Sequence, residues 1–200
     1  NGCPARTARG CARPAAAPRN TMAANDVTSV IAKGHQGRQH GQVVLSTRLS
    51  AAAKVVQAAS EEAAAITSEL DAKEREALAE ALGMGTRGAR PRSAQAALGA
   101  LEDEQKLRAK RLQRDALDRV LTEFTSYYRD VLVLQTGAGA PLINVEFEAP
   151  IRDLAERSAA TATVRRLDAI LACRTALETN VAPLLAMEAL MIGLADHGQH

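Results

Sequence analysis

The chain has 200 residues, 46% of them hydrophobic, and a formal net charge of +2, which together exclude a chain that is disordered throughout and allow one or two domains with a sizeable core. Two Phe, two Tyr and no Trp leave Ala and Leu to do most of the packing. This composition favours closely packed helices over a β-sheet.

The amino-terminal residues 1–26 have the strongest compositional bias. They are rich in Ala, Arg, Pro and Gly, carry four Arg against one Asp, and show no hydrophobic periodicity. We predict a disordered tail here. A basic tail could contact DNA or an acidic partner, although a solvated extension is the simpler interpretation. The rest of the chain has 21 basic against 22 acidic residues, so its charge does not predict nucleic-acid binding.

Residues 27–43 include the run GHQGRQHG, which predicts a loop or the start of a helix. His35 and His40 are five residues apart, which is the wrong spacing for two metal ligands on one helix face. No Glu completes a metalloprotease pattern. We therefore predict no metal site in this segment.

Apolar residues at three- and four-residue steps predict helices over residues 44–83. We expect one helix followed by a second from Asp71 to Leu82, and Gly83 and Gly85 end the pattern. Residues 83–92 are predicted to form a flexible break. The apolar stripe of the first helix consists of Leu49, Ala52, Ala53, Val56, Ala59, Ala63 and Ile66.

Residues 93–136 predict one long helix, which Gly137 ends. Its buried side is predicted to contain Leu98, Leu101, Leu112, Ala116, Val120, Phe124, Tyr127, Val131 and Leu134. Residues 106–114 (KLRAKRLQR) are dense in positive charge. They could form a phosphate-binding face, or a solvated helix face that the acidic residues 102–104 partly neutralise.

Three further helices are predicted at 150–159, 163–178 and 181–195, with Pro150 in the first turn of the first of them. Thr161 or Thr163 could cap the second helix, and Asn180 could cap the last. The run LINVEF before them could form a short strand, but the sequence offers it no partner strand. The prediction is therefore an all-α, multi-helix bundle over residues 44–195, with a short tail at 196–200.

Arg174 is the unusual residue of the carboxyl-terminal helices, because it lies on an apolar stripe with Leu167, Ile170, Leu171 and Leu177. A charge on such a stripe requires a partner. We predict a structural ion pair with a carboxylate of a neighbouring helix, either Asp130 on the long helix or Glu188 on the last one.

The sequence has no pattern that indicates catalysis. It contains neither a phosphate-binding loop nor a nucleophile elbow. Its cysteines, Cys3, Cys11 and Cys173, have no spacing typical of a disulfide framework or a zinc site. No apolar run is long enough to cross a bilayer, and no signal peptide is recognisable. We expect a cytoplasmic protein without catalytic residues, metal or cofactor, and without a membrane partner.

Three stretches resemble one known family in the correct order. The stretch LEDEQKLRAKRLQRDALDRVLTEFTSYYRDVLVLQTG (101–137) resembles the long helix of bacterial clamp-loader delta-prime subunits, including its Arg129-Asp130-Val131-Leu132 run. The run Leu142-Ile143-Asn144-Val145 is similar to the family's short connector. Residues 165–194 are similar to its terminal helix pair.

The resemblance implies that residues 44–195 are a carboxyl-terminal collar domain. Gly34, Gly37 and Arg38 resemble the end of an AAA+ lid, so residues 27–43 would be a remnant of that lid. Complete family members also carry an AAA+ module and a four-cysteine zinc loop, and neither is present in this sequence. Arg38 without a phosphate loop cannot make an ATP site.

The implied role is assembly. In clamp loaders, the helical domains of five subunits form a ring that positions the AAA+ modules. The chain would be a non-catalytic part of the DNA polymerase III holoenzyme, with the delta and gamma/tau subunits as partners. It would meet primer-template DNA and the sliding clamp only through the complex. The alternative is a generic helical scaffold or regulatory oligomerisation domain with no replication role.

Overall fold

A computed structural model of the chain describes residues 41–83 and 92–196. These residues contain five α-helices and one 3₁₀ turn, which confirms the prediction of an all-α, multi-helix bundle. The predicted tail at 1–26 and the lid-type residues Gly34, Gly37 and Arg38 lie outside the described residues. The helices are α1 (Gly41–Ala81), α2 (Arg92–Thr136), α3 (Glu148–Arg157), α4 (Ala160–Glu178) and α5 (Pro183–Asp196), and the 3₁₀ turn is Val145–Phe147.

Helices α1 and α2 form a long antiparallel hairpin. At a rise of 1.5 Å per residue they are about 60 Å and about 68 Å long. Gln113 Nε2 donates to Ser60 Oγ at 2.6 Å, and Arg108 Nη1 to Asp71 Oδ1 at 3.0 Å. The predicted break at Asp71 is wrong. Helix α1 continues through Asp71 to Ala81, and the Asp71 carboxylate binds Arg108 of α2.

The carboxyl end of α2 follows the prediction. Gly137 has a φ of +64°, a left-handed conformation that suits glycine. The N–H of Ala138 donates to Val133 O at 3.2 Å, so one of the last carbonyls of the helix is satisfied.

Neither of the two predicted helix caps is present. Asn180 has a φ of +64° and ends α4 instead of starting α5, and the Val181 N–H donates back to Ala176 O at 3.2 Å. At the start of α4 the N-cap residue is Ala159, which makes no side-chain cap. Thr163 lies inside the helix and is fully buried.

The hydrophobic core lies where α2 packs on α1, α3 and α4, and where α5 packs on α1 and α4. The prediction for α1 is confirmed for Ala52, Ala59 and Ala63 and wrong for Ala53, which is exposed, and for Ile66, which is 58% exposed. The buried side of α1 is rotated by one position relative to the prediction, because Val55 is buried in the core. The largest fully buried apolar side chains are Tyr128, Leu117, Leu121, Ile151, Ile170, Met187 and Val131.

This core divides the described molecule into two regions. The main core cluster begins at Ala116 on α2 and ends at Ala59 on α1. We call residues 41–59 and 116–196 the bundle, and residues 60–83 and 92–115 the hairpin arm. Within these residues, no helix combines the length and the apolar composition that a membrane span requires.

Candidate functional site

Asp130 is the centre of a buried polar junction between α2 and the loop that follows it. Its side chain is fully buried. Oδ2 accepts hydrogen bonds from the Ile143 N–H at 2.9 Å, the Asn144 N–H at 2.7 Å and the Asn144 side-chain amide at 2.8 Å. Oδ1 pairs with Arg129 Nη1 at 2.7 Å. The carboxylate therefore fixes the path of the chain from α2 into the 3₁₀ turn and α3.

The electrostatics of this junction favour an ionised carboxylate. Burial alone would raise the pKa of Asp130, since it penalises the charged form. Hydrogen bonds from the Asn144 N–H, the Arg129 guanidinium, the Ile143 N–H and the Asn144 amide outweigh that cost, so the pKa lies below its ordinary value. Arg129 also donates to Pro141 O at 2.7 Å, and this second contact holds the same loop against α2.

The predicted partners of Arg174 were wrong, although a carboxylate of a neighbouring helix does bind it. Arg174 Nε donates to Asp118 Oδ1 at 2.6 Å, and Nη2 donates to Thr122 Oγ1 at 3.0 Å. Asp130 lies three turns further along α2 and is occupied by the loop. Glu188 forms no ion pair within the described residues. The Arg174 pair lies near the surface, where such pairs contribute less than about 1 kcal/mol.

A groove of about 660 Å³ runs beside this pair, between α2 and the carboxyl end of α4. Its lining is mixed in charge and includes Arg114, Arg119 and Arg174 together with Asp115, Asp118 and Glu178. Thr122 supplies its hydroxyl, and neither a cysteine nor a histidine lines it. With Leu177 the lining is part charged and part apolar, and it holds no cysteine–histidine pair of the kind used in covalent catalysis.

The buried arginine of α4 is Arg166, which sequence reasoning missed. It is fully buried, with its guanidinium 5.8 Å from the centroid of the Tyr128 ring. Nε donates to Leu194 O at 3.2 Å, and Nη1 to Ser158 Oγ at 3.4 Å. Its spacing to Ile170, four residues on, is the signal that could have found it.

Arg166 lies where three helices end. Leu194 is in the last turn of α5, and Ser158 follows the last residue of α3. Gln135, at the end of α2, donates to Ser158 O at 2.6 Å. Helix carboxyl ends carry partial negative charge, so they can hold a cation without a carboxylate. Burial lowers the pKa of Arg166. Arg166 thus joins the ends of α3 and α5, while Gln135 joins the end of α2 to Ser158.

The remaining candidate groups also have structural surroundings. Cys173 is buried, its Sγ lies 3.4 Å from Ala186 O, and burial raises the pKa of its thiol to about 11. A thiol of that pKa is a poor nucleophile near neutral pH. Within residues 41–83 and 92–196, no group of three or more His, Cys, Asp or Glu side chains could hold a metal ion.

No protein-family model matches the chain, and no curated protein or solved structure matches it either.

Proposed function

We propose that this chain is a non-catalytic assembly subunit, or a fragment of one, of a bacterial clamp loader of the delta-prime type. Its helical bundle would act as the collar domain, packing beside the delta and gamma/tau subunits. It would reach primer-template DNA and the sliding clamp only through that complex, in the cytoplasm. Alone it would hydrolyse no nucleotide and need no cofactor.

The observation that supports this proposal is the Asp130 junction. The resemblance depends on two separate runs, Arg129-Asp130 in the long helix and the connector that contains Asn144. In the structure these two runs meet, and Asp130 accepts three hydrogen bonds from Ile143 and Asn144. These residues fix the path of the loop and the direction of the next helix, and they leave no reactive group exposed. Such a purely structural arrangement suits a rigid module.

The charge and the helical packing are in keeping with the same role. The groove beside Arg174 pairs opposite charges instead of presenting one sign, which suits protein contact better than phosphate contact. Subunit interfaces are often formed by closely packed helices whose surface is mixed in polarity.

The direct test is co-purification of the tagged full chain with untagged delta, gamma/tau and sliding clamp from the same source. We expect recovery of delta and gamma/tau in a complex that also binds the clamp with ATP. Recovery of only self-associated chain would overturn the proposal and favour the generic scaffold. An ATPase assay of the chain alone is the second readout, and we expect no turnover.

A further inference from the structure

Helix α5 is apolar on every side. Of its 14 residues, Glu188 and Asp196 are the two with a polar side chain. The side that packs on α1 and α4 is buried and contains Ala186, Met187, Leu190, Met191 and Leu194. On the opposite side, Leu185 is 61% exposed and Ala189 is exposed as well. A helix without a polar side is normally covered all round, and an apolar stretch of this length is typical of a buried core helix.

The uncovered side of α5 forms a regular stripe. Leu185, Ala189 and Ile192 follow each other at four- and three-residue steps, so they project from one side of the helix. We call these three residues the outer stripe. The outward sides of the neighbouring helices differ, because they expose charged residues such as Arg152 on α3 and Asp168 on α4. The outer stripe therefore lacks the charges that normally face solvent.

The amino-terminal part of the sequence holds one short run of large aliphatic residues. In residues 1–40, the Val and Ile residues are Val27, Val30 and Ile31, and no Leu or Phe occurs. Their spacing is the one at which side chains share one side of a helix. Residues 27–40, which lie outside the described residues, contain two basic residues and no acidic one, whereas both charges of α5 are acidic. This segment therefore matches the outer stripe in apolar character and complements α5 in charge.

Contacts between the helices show where α1 begins relative to α5. At the carboxyl end of α5, Arg166 donates to Leu194 O and lies over the Tyr128 ring of α2. Helix α1 runs antiparallel to α2, and Arg119 of α2 binds Glu62 of α1. Tyr128 is nine residues past Arg119. The carboxyl end of α5 is therefore near the level of residue 53 of α1.

The length of the chain allows residues 27–31 to reach the outer stripe. Gly41, the first residue of α1, precedes residue 53 by 12 residues, so it lies about 18 Å beyond the carboxyl end of α5 and about 21 Å from the level of Ile192. The nine residues 32–40 join Ile31 to Gly41, and an extended chain of that length spans up to about 30 Å.

We propose that residues 27–31 of this chain cover the outer stripe of α5. Their three aliphatic side chains pack on the stripe, and the basic residues that follow them lie toward the acidic carboxyl end of α5. A tether of nine residues keeps the segment at a local concentration in the millimolar range, so it should bind in preference to a second copy of the chain. The contact fixes the amino-terminal segment to the bundle, whatever the bundle assembles with.

The test is amide hydrogen exchange of the full chain, measured by mass spectrometry. In wild type we expect the amides of residues 27–33 to exchange at least about tenfold more slowly than in a free peptide of the same sequence. Leu185→Ser should return them to the rate of the free peptide. Circular dichroism checks that this surface variant remains folded. The matched control is Leu171→Ser on α4, which removes a side chain that is 54% exposed and should leave the exchange unchanged.

Thermal melts test the same contact independently. Ile31→Ser and Leu185→Ser should each lower Tm by about 3 °C, because each one removes apolar burial from the contact. The double variant should lower Tm no further, since either change alone already breaks the contact. Leu171→Ser should leave Tm unchanged.

Three outcomes would overturn the proposal. Exchange of residues 27–33 at the rate of the free peptide in wild type would show that the segment does not bind α5. Slow exchange that survives Leu185→Ser would place the segment on another surface. Slow exchange that disappears on dilution, together with a dimer in sedimentation that Leu185→Ser abolishes, would assign the outer stripe to a second copy of the chain.

Discussion

The bundle and the hairpin arm share two helices, yet they are held together by different interactions. In the bundle, α2 buries large apolar side chains such as Leu117, Leu121 and Tyr128. In the arm, the buried residues are small or polar, namely Ala63, Thr67, Ala94 and Gln105. The contacts that join its helices include Arg108 with Asp71 and Glu74. Since apolar burial supplies most of the folding free energy, the bundle stabilises the fold and the arm mainly extends it.

The largest effect should come from the polar junction of the bundle. Asp130→Ala leaves the N–H groups of Ile143 and Asn144 without an acceptor, together with the Arg129 charge. We expect the free energy of unfolding to fall by about 3–5 kcal/mol. Urea melts followed by circular dichroism measure it. The control is Asp118→Ala, which removes a carboxylate of the surface pair with Arg174 and should cost less than about 1 kcal/mol. Equal losses of stability in the two variants would remove the distinction between the buried junction and the surface pair.

Apolar truncations compare the two regions directly. Leu121→Ala in the bundle should cost about 3 kcal/mol, because the side chain is fully buried and leaves a cavity. Leu107→Ala in the arm should change stability by less than about 0.5 kcal/mol, since half of that side chain is exposed already. Thermal or urea melts of both variants decide this. A similar loss for Leu107→Ala would show that the arm has a core of its own.

The pH dependence of stability should also report on the bundle. The pKa of Asp130 is below its ordinary value of 3.8 in the folded state, so its stabilisation is fully present above that pH. It is lost as the pH falls through the folded-state pKa, because the unfolded chain then binds more protons. Urea midpoints of wild type and Asp130→Asn, measured from about pH 6 down to about pH 2.5, should therefore converge at the acid end. A constant difference would contradict the low pKa.

The smallest effect is expected at Tyr128. Its hydroxyl is buried and has no hydrogen-bond partner within the described residues. Tyr128→Phe removes an unsatisfied polar group and keeps the ring that lies under Arg166, so stability should change by less than about 0.5 kcal/mol or rise. A loss above about 1 kcal/mol in a urea melt would show that the hydroxyl has a partner, such as a bound water.

The sequence predicted helices well and their polar connections poorly. The long helix α2 ends at Gly137 as expected, because a regular apolar stripe and a glycine with positive φ are local signals. The predicted break at Asp71 and the predicted cap at Asn180 were wrong, because each residue has another role that its chemistry allows equally well. Asn180 ends α4 with a positive φ. Asp71 binds Arg108, which is 37 residues away, and no local pattern shows that pairing.

The same limit applies to the two arginines of α4. Arg166 and Arg174 both occur at helical spacing with apolar residues, so the sequence could not say which one is buried. The choice depends on where α4 crosses α2 and where α5 ends, and both are properties of the packed bundle. Asp130 was predicted as a partner for Arg174, whereas its partners in the structure are Arg129 and the loop residues Ile143 and Asn144.

The most direct test of the account is native mass spectrometry of the full chain mixed with delta and gamma/tau subunits. We expect one copy of the chain in a five-subunit complex, for wild type and for the arm variant Lys110→Glu/Arg111→Glu/Arg114→Glu alike, because under this proposal the bundle would form the collar. A complex that forms without the chain, with the chain present only as monomer or homo-oligomer, would contradict the assembly role.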